Sequence, residues 1–132
     1  MPETGRPPTL QLTWAGFEAA VDLIAAQCRW RDRAGIYGAD PAGQLLAYEL
    51  STRLGLNTLP QAGPGRIEVH GLVVKPVAST WAWPDVEVWA WVDATDARDV
   101  QSVMKVTAGT TVLMPWQDAV ASPRPFVPGF DD

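Results

Sequence analysis

The sequence predicts an α/β domain of three layers, in which a mainly parallel β-sheet carries helices on both faces. Three observations support this class. An apolar run, a loop of small residues and a helix-forming segment follow one another between residues 34 and 54, which is how a βαβ unit begins. Residues 86–92 are apolar at every position except Glu87, as expected for a central parallel strand. Residues 14–28 carry apolar side chains at intervals of three and four, which is typical of one buried helical face.

The N-terminal region divides into an arm and a helix. Residues 1–12 begin with a proline-rich stretch, which predicts an extended arm, followed by a single domain that spans residues 13–132. Thr13 is a suitable N-cap, and the helix is expected to run to about Trp30. Its predicted buried face consists of Trp14, Phe17, Val21, Ile24 and Cys28.

The next segment predicts a strand, a loop and a second helix. The apolar residues 34–37 predict a short buried strand, and residues 38–43 predict a tight loop of small residues. Good helix formers follow from Leu45 to Leu54. Gly55 is then a suitable C-cap for this helix.

The middle of the chain alternates apolar runs with turn-rich loops. Residues 56–59 predict a short edge strand, and residues 66–75 predict either one strand or a hairpin bent at Gly71. The proline-flanked loop 76–84 carries Trp81 and Trp83. These two side chains suit either a lid over a ligand or an apolar contact in a homodimer.

The last third follows the central strand. Thr95 or Asp96 is expected to cap a third helix that ends near Gly109, and residues 110–114 predict a final strand. The tail from about residue 115 is expected to be irregular. The predicted buried face of the third helix consists of Val100, Val103, Met104 and Val106.

Composition excludes several function classes. The 132 residues suffice for one domain with a core. A net charge of −5 makes nonspecific binding to nucleic acid or to an anionic membrane unfavourable. Cys28 is the single cysteine, so an internal disulfide is excluded. No apolar run approaches the roughly 20 residues of a membrane span, and no signal region is recognisable at the start. We therefore expect a cytoplasmic protein.

Three loops follow predicted strands at the edge where open α/β sheets bind ligands. Residues 38–43 suit either an anion held by backbone N–H groups or a connection kept short for packing. Residues 93–99 suit either helix capping or ligand binding, in which they hold a divalent metal or the hydroxyls of a ribose while N–H groups of the next helix hold a phosphate. Trp116 follows the last strand, where it can stack on a planar base or cover the end of the sheet.

In their order and spacing these loops resemble the type I phosphoribosyltransferase family, nearest its purine-salvage branch (hypoxanthine or xanthine-guanine type). The resemblance runs from Thr13 to the end of the chain. Residues 38–43 resemble the pyrophosphate-binding loop, which in the family typically contains Arg-Gly-Gly. Gly43 is kept, the arginine is absent, and Asp40, Pro41 and Ala42 fill the space.

The other two loops match the family in part. Asp93 matches the first acid of the ribose-binding pair, Ala94 replaces the second, and the following segment lacks the Thr-Gly step that wraps the phosphate. Residues 123–131 resemble the stretch in which an aromatic residue, here Phe126, stacks on the base. The resemblance thus implies a catalytic Asp93 and ligand contacts from Thr95, Asp96, Ala97, Arg98, Asp99, Asp40, Pro41, Ala42, Gly43, Trp116 and Phe126.

Three interpretations of this resemblance are open. The first is a divergent phosphoribosyltransferase, in which Mg²⁺ bound with the help of Asp93 neutralises the pyrophosphate and Arg98 pairs with the phosphate. The second is a catalytically silent protein on this scaffold, which binds a nucleotide or another protein. The third is a shared α/β topology without a shared function.

Overall fold

The computed structural model describes residues 8–28, 32–75, 77, 83, 85–95 and 100–117. These residues form two helices and six strands. In chain order the elements are β1 (Thr9–Gln11), α1 (Trp14–Cys28), β2 (Ile36–Gly38), α2 (Pro41–Leu54), β3 (Ile67–Val73), β4 (Glu87–Asp93), β5 (Gln101–Lys105) and β6 (Thr111–Leu113).

The main sheet has four parallel strands in the order β2-β3-β4-β5. The strands β1 and β6 pair in parallel as a separate two-stranded sheet. This arrangement confirms the predicted α/β class with a mainly parallel sheet. The strand predicted over residues 56–59 is reduced to one bridge, in which Thr58 pairs with Ile36 beside β2.

Local side-chain chemistry explains where the two helices begin and end. The hydroxyl of Thr13 accepts a hydrogen bond from the Gly16 N–H at 3.0 Å, as predicted for an N-cap. The helix α2 starts at Pro41, earlier than predicted, because Asp40 caps it and proline is favoured at the first helical position. Gly55 ends α2 with a φ of 70°, which confirms the predicted C-cap.

The larger core cluster lies between the two helices and the main sheet. The helix α2 contacts β2 and β3, while α1 contacts α2 and β5. Trp91 of β4 is almost fully buried, and its ring packs edge-on against Phe17 of α1 at 5.7 Å. A smaller cluster consists of Val73, Val88, Ala90 and Val100, with Val77 and Val86 packed against it.

The predicted third helix is wrong, because residues 101–105 form the strand β5. Asp93 pairs with Lys105 and Trp89 with Gln101, so β5 extends the sheet beyond β4. Val103 packs against the larger core, and Met104 is exposed. A short run of valines suits a strand as well as a helix, and the buried backbone of β4 needs hydrogen-bond partners on both sides.

Within residues 66–75, Ile67–Val73 form the single strand β3 rather than a hairpin bent at Gly71. Gly71 lies within β3 at a point where the helix α2 approaches so closely that there is no room for a side chain. A Cβ built on Gly71 would lie 2.2 Å from the Cβ of Ala42. None of the helices in the described part of the chain is long and apolar enough to cross a membrane.

Candidate functional site

The candidate site lies at the edge of the main sheet where β2, β3, β4 and β5 end. Asp40 follows β2, Thr95 follows β4, and Lys105 ends β5. The helix α2 begins at this edge with Pro41. The parallel sheet therefore brings Asp40 and the described start of the loop after β4 to one side of the molecule, as the sequence indicated.

The carboxylate of Asp40 connects the start of α2 to β3. Its Oδ1 accepts hydrogen bonds from the N–H groups of Gly43 at 2.6 Å and Gly71 at 2.8 Å. Its Oδ2 accepts from the N–H of Leu72 at 3.2 Å. One of these donors, the Gly43 N–H, belongs to a helix N-terminus, which is a common place for an anion, and the other two belong to β3. In this chain those donors already bind a carboxylate.

Tight packing surrounds this contact. A Cβ on Gly43 would lie 2.3 Å from the Val69 carbonyl oxygen, and one on Gly38 would lie 2.4 Å from the Cα of Gln44. These distances require glycine at both positions. Of the two interpretations of residues 38–43, the short packed connection is the one that this geometry supports. Ligand binding by Asp40, Pro41, Ala42 and Gly43 stays a prediction.

A small cavity of about 220 Å³ separates this loop from the segment after β6. Trp116 is 48 % exposed, and its ring lies 6.0 Å from that of Trp14. The Trp14 ring contacts Phe17 edge-on at 5.5 Å, and Phe17 contacts Trp91 in the core. A chain of aromatic rings therefore holds Trp116 at the mouth of the cavity. The cavity is lined by Asp40, Pro41, Ala42, Met114, Trp116 and Gln117.

Asp93 ends β4 and its side chain is fully buried. Its Oδ1 accepts hydrogen bonds from the N–H and the hydroxyl of Thr95, at 2.8 and 2.7 Å. Its Oδ2 accepts from Nζ of Lys105 at 2.8 Å. Desolvation on burial raises the pKa of Asp93, but the bonds from Lys105 and Thr95 together lower that pKa below its ordinary value of 3.8.

This environment is a poor match for a magnesium ion. Both oxygens of Asp93 already accept hydrogen bonds, and the Lys105 ammonium group lies where it would repel a cation. The part of the chain that the structure describes holds no group of three or more His, Cys, Asp or Glu side chains suited to a metal. The roles of Asp93 as a metal ligand and as a catalytic residue stay predictions.

Lys105 is a site residue that sequence analysis missed. Its side chain is 58 % exposed, although its Nζ binds the buried Asp93. It lines an open cavity of about 490 Å³ at the end of β5, together with Thr95, Val106, Thr107 and Ala108. The helix predicted for this segment would separate Lys105 from Asp93. The pairing of the two side chains follows only from the strand β5, which the sequence pattern did not indicate.

Several predicted contacts lie outside the described residues. They are Asp96, Ala97, Arg98, Asp99 and Phe126. Trp81 lies outside as well, whereas Trp83 is described and half-buried. Thr95 is half-buried, and its hydroxyl binds Asp93 rather than pointing away from it.

Comparisons with known proteins identify the fold and leave the family open. No protein-family model matches the chain, and no curated protein matches it in sequence. Among solved structures, it is similar to the crystal structure of a purine phosphoribosyltransferase from Pyrococcus horikoshii Ot3. The TM-score is 0.66 at 15 % identity, over 88 % of this chain and 99 % of the other. The chain therefore has a phosphoribosyltransferase-like α/β fold.

Proposed function

We propose that the chain binds a purine nucleoside monophosphate at the edge where β2–β5 end, and does not transfer a phosphoribosyl group. The observation that carries this proposal is that the carboxylates of Asp40 and Asp93 already accept hydrogen bonds from other groups of the chain. Asp40 binds one backbone N–H group at the start of α2 and two in β3, and Asp93 is enclosed by Thr95 and Lys105. The likeness to a purine phosphoribosyltransferase supports the choice of ligand.

Lys105 and the neighbouring hydroxyls support a phosphate at one end of this site. An ammonium group has three donors, and Lys105 uses one of them on Asp93 while most of its side chain is exposed. Thr107 is exposed and lines the same cavity. A phosphate here would gain charge-assisted hydrogen bonds from Lys105.

Trp116 supports a planar base at the other end. Its half-exposed ring is held by Trp14 and faces the cavity beside Asp40. The two cavities lie near the ends of β3 and β5, which are separated by two strand spacings, about 10 Å. A ligand with a base and a phosphate can therefore contact both.

Transfer would require the diphosphate of the donor to be held next to the ribose. The start of α2 is the natural place for that group, but the Asp40 carboxylate, which caps this helix, would repel it. Asp93 would have to leave Thr95 and Lys105 before it could bind the ribose. We expect ligand binding without turnover, in the cytoplasm.

Tryptophan fluorescence tests this proposal. Titration with inosine monophosphate should change the emission saturably. Lys105→Gln should weaken binding about 10-fold through the loss of a charged hydrogen bond, and Trp116→Ala should weaken it about 5- to 100-fold through the loss of stacking. Arg66→Gln is the charge-matched control, because Arg66 precedes β3 at the opposite edge of the sheet. Equal affinities in all three variants would contradict the site.

The second candidate is a working Mg²⁺-dependent phosphoribosyltransferase. The similarity over 99 % of a purine phosphoribosyltransferase chain favours it. It predicts release of pyrophosphate from phosphoribosyl diphosphate that depends on both an added purine base and Mg²⁺. Such release above the spontaneous rate would replace the first proposal with this one.

A further inference from the structure

A third cavity is lined by β2, α2 and residues 58–60, and it shares no lining residue with the proposed nucleotide site. Its volume is about 330 Å³, which is within the usual range for small-molecule pockets. We call it the tyrosine pocket. Its side-chain lining includes Tyr37, Gln44, Tyr48, Thr58, Leu59 and Pro60.

Three segments build the tyrosine pocket. Tyr37 comes from β2 at the border of the main sheet. Gln44 and Tyr48 are four residues apart on α2, so their side chains lie on one face of the helix. Thr58 bridges Ile36, and the Leu59 N–H donates to the Ile36 carbonyl at 2.8 Å. These backbone contacts hold the third wall in place.

Two of the segments that line the tyrosine pocket, β2 and α2, pack closely against each other. Gly38 and Gln44 are packed so closely that a Cβ on Gly38 would meet the backbone of Gln44 at 2.4 Å. The start of α2 is fixed by Asp40. The pocket is therefore a preformed feature between two packed elements.

The chemistry of the lining selects an uncharged aromatic ligand. None of the lining residues carries a formal charge. The chain has two tyrosines, and both line this pocket. Tyr48 is 65 % exposed, so its ring offers a large aromatic surface. Gln44 and Thr58 add amide and hydroxyl groups that can donate and accept hydrogen bonds.

We propose that the tyrosine pocket is a second binding site, which takes an uncharged, planar heteroaromatic ring of about the size of a nucleobase. Tyrosine rings provide the stacking surface, and Gln44 recognises the polar edge of the ring. A phosphate or carboxylate group finds no cation in the pocket lining. The three cavities share no lining residue, so this site does not rest on the proposed nucleotide site.

The two tyrosines also provide a selective probe. Protein labelled with 3-fluorotyrosine should give two ¹⁹F resonances, both from this pocket. Adenosine should shift both resonances saturably. Adenosine monophosphate, which carries the same ring and a dianion, should bind the pocket more weakly. Absence of any shift up to the solubility of adenosine would overturn the proposal, and so would tighter binding of the monophosphate at these resonances.

Variants separate ring recognition from a general effect. Tyr48→Ala should reduce the affinity reported by the Tyr37 resonance about 5- to 100-fold, since one stacking surface is lost. Tyr48→Phe keeps the ring and should retain binding. Gln44→Ala, at an exposed helix position, should weaken binding without affecting the fold, which circular dichroism would verify. An unchanged response of Tyr37 in both Tyr48→Ala and Gln44→Ala would overturn the assignment.

Discussion

Replacing Asp40 tests the interpretation that its carboxylate fastens α2 to β3. The hydrogen bond to Gly43 is an N-cap contact, which is worth about 1 kcal/mol. The bonds from Gly71 and Leu72 are charge-assisted, but the side chain is half-buried and water can replace them in part. We therefore assign these two bonds about 1–3 kcal/mol together. Asp40→Ala should lower the free energy of unfolding by about 2–4 kcal/mol.

Two further variants divide this total. Asp40→Ser retains a helix cap but its shorter side chain loses the contacts to β3, so it should cost about 1 kcal/mol less than alanine. Asp40→Asn keeps one acceptor oxygen for Gly43 and Gly71, and it should be the mildest of the three. Its amide nitrogen takes the place of Oδ2 and cannot accept from the Leu72 N–H.

Urea denaturation followed by circular dichroism measures these differences. With a slope of about 2 kcal/mol per molar urea for a domain of this size, alanine should lower the midpoint by about 1–2 M. The expected order of stability is wild type, Asn, Ser and Ala. If all three variants unfolded within about 0.5 kcal/mol of the wild type, which is the usual range for surface substitutions, the carboxylate would not be fastening the helix.

Three other substitutions follow from the described contacts. Because the pKa of Asp93 is lowered in the folded state, its contribution to stability is complete above the ordinary value of 3.8 and is lost as the pH falls through the lower folded pKa. Asp93→Asn should therefore make the urea midpoint fall less steeply as the pH is lowered. The same pH dependence in the wild type and the variant would contradict the contact with Lys105. Gly71→Ala should lower the free energy of unfolding by about 1–3 kcal/mol, because the added methyl group collides with Ala42. Adding Ala42→Gly to this variant should partly restore its melting temperature. If the effects of the two substitutions on the melting temperature were simply additive, the collision would be excluded. Glu87 is buried and forms an ion pair with Arg33 at 3.1 Å. Glu87→Gln should therefore lower the free energy of unfolding, measured by urea denaturation, by about 3 kcal/mol. A loss within the usual range of surface substitutions would contradict that pairing.

Much of the fold could be predicted from local pattern. Residues 86–92 indicated a central strand because they are apolar on both faces, and β4 is that strand. The start of α2 was misplaced, although Asp40-Pro41 carries the signal of a cap followed by proline at the first helical position. The strand β5 could not be predicted from its own residues. Its conformation depends on the need of β4 for a hydrogen-bond partner.

The sequence predicted where Asp40 and Asp93 lie relative to the strands, but not the contacts that their side chains make. Sequence placed Asp40 and Asp93 at the edge where strands end, and both lie there. The sequence could not show that their oxygens are already bound. Asp40 binds N–H groups that are 31 and 32 residues away, and Asp93 binds a lysine 12 residues away. Such pairs become neighbours only when the sheet has formed.

Calorimetry with two ligands tests the central claim most directly. The chain should bind inosine monophosphate with measurable heat, because its phosphate can reach Lys105 and its base can stack on Trp116. Phosphoribosyl diphosphate with Mg²⁺ should bind at least about 10-fold more weakly, because the Asp40 carboxylate at the start of α2 would repel its diphosphate. Tighter, Mg²⁺-dependent binding of phosphoribosyl diphosphate, or no heat with either ligand, would contradict the account.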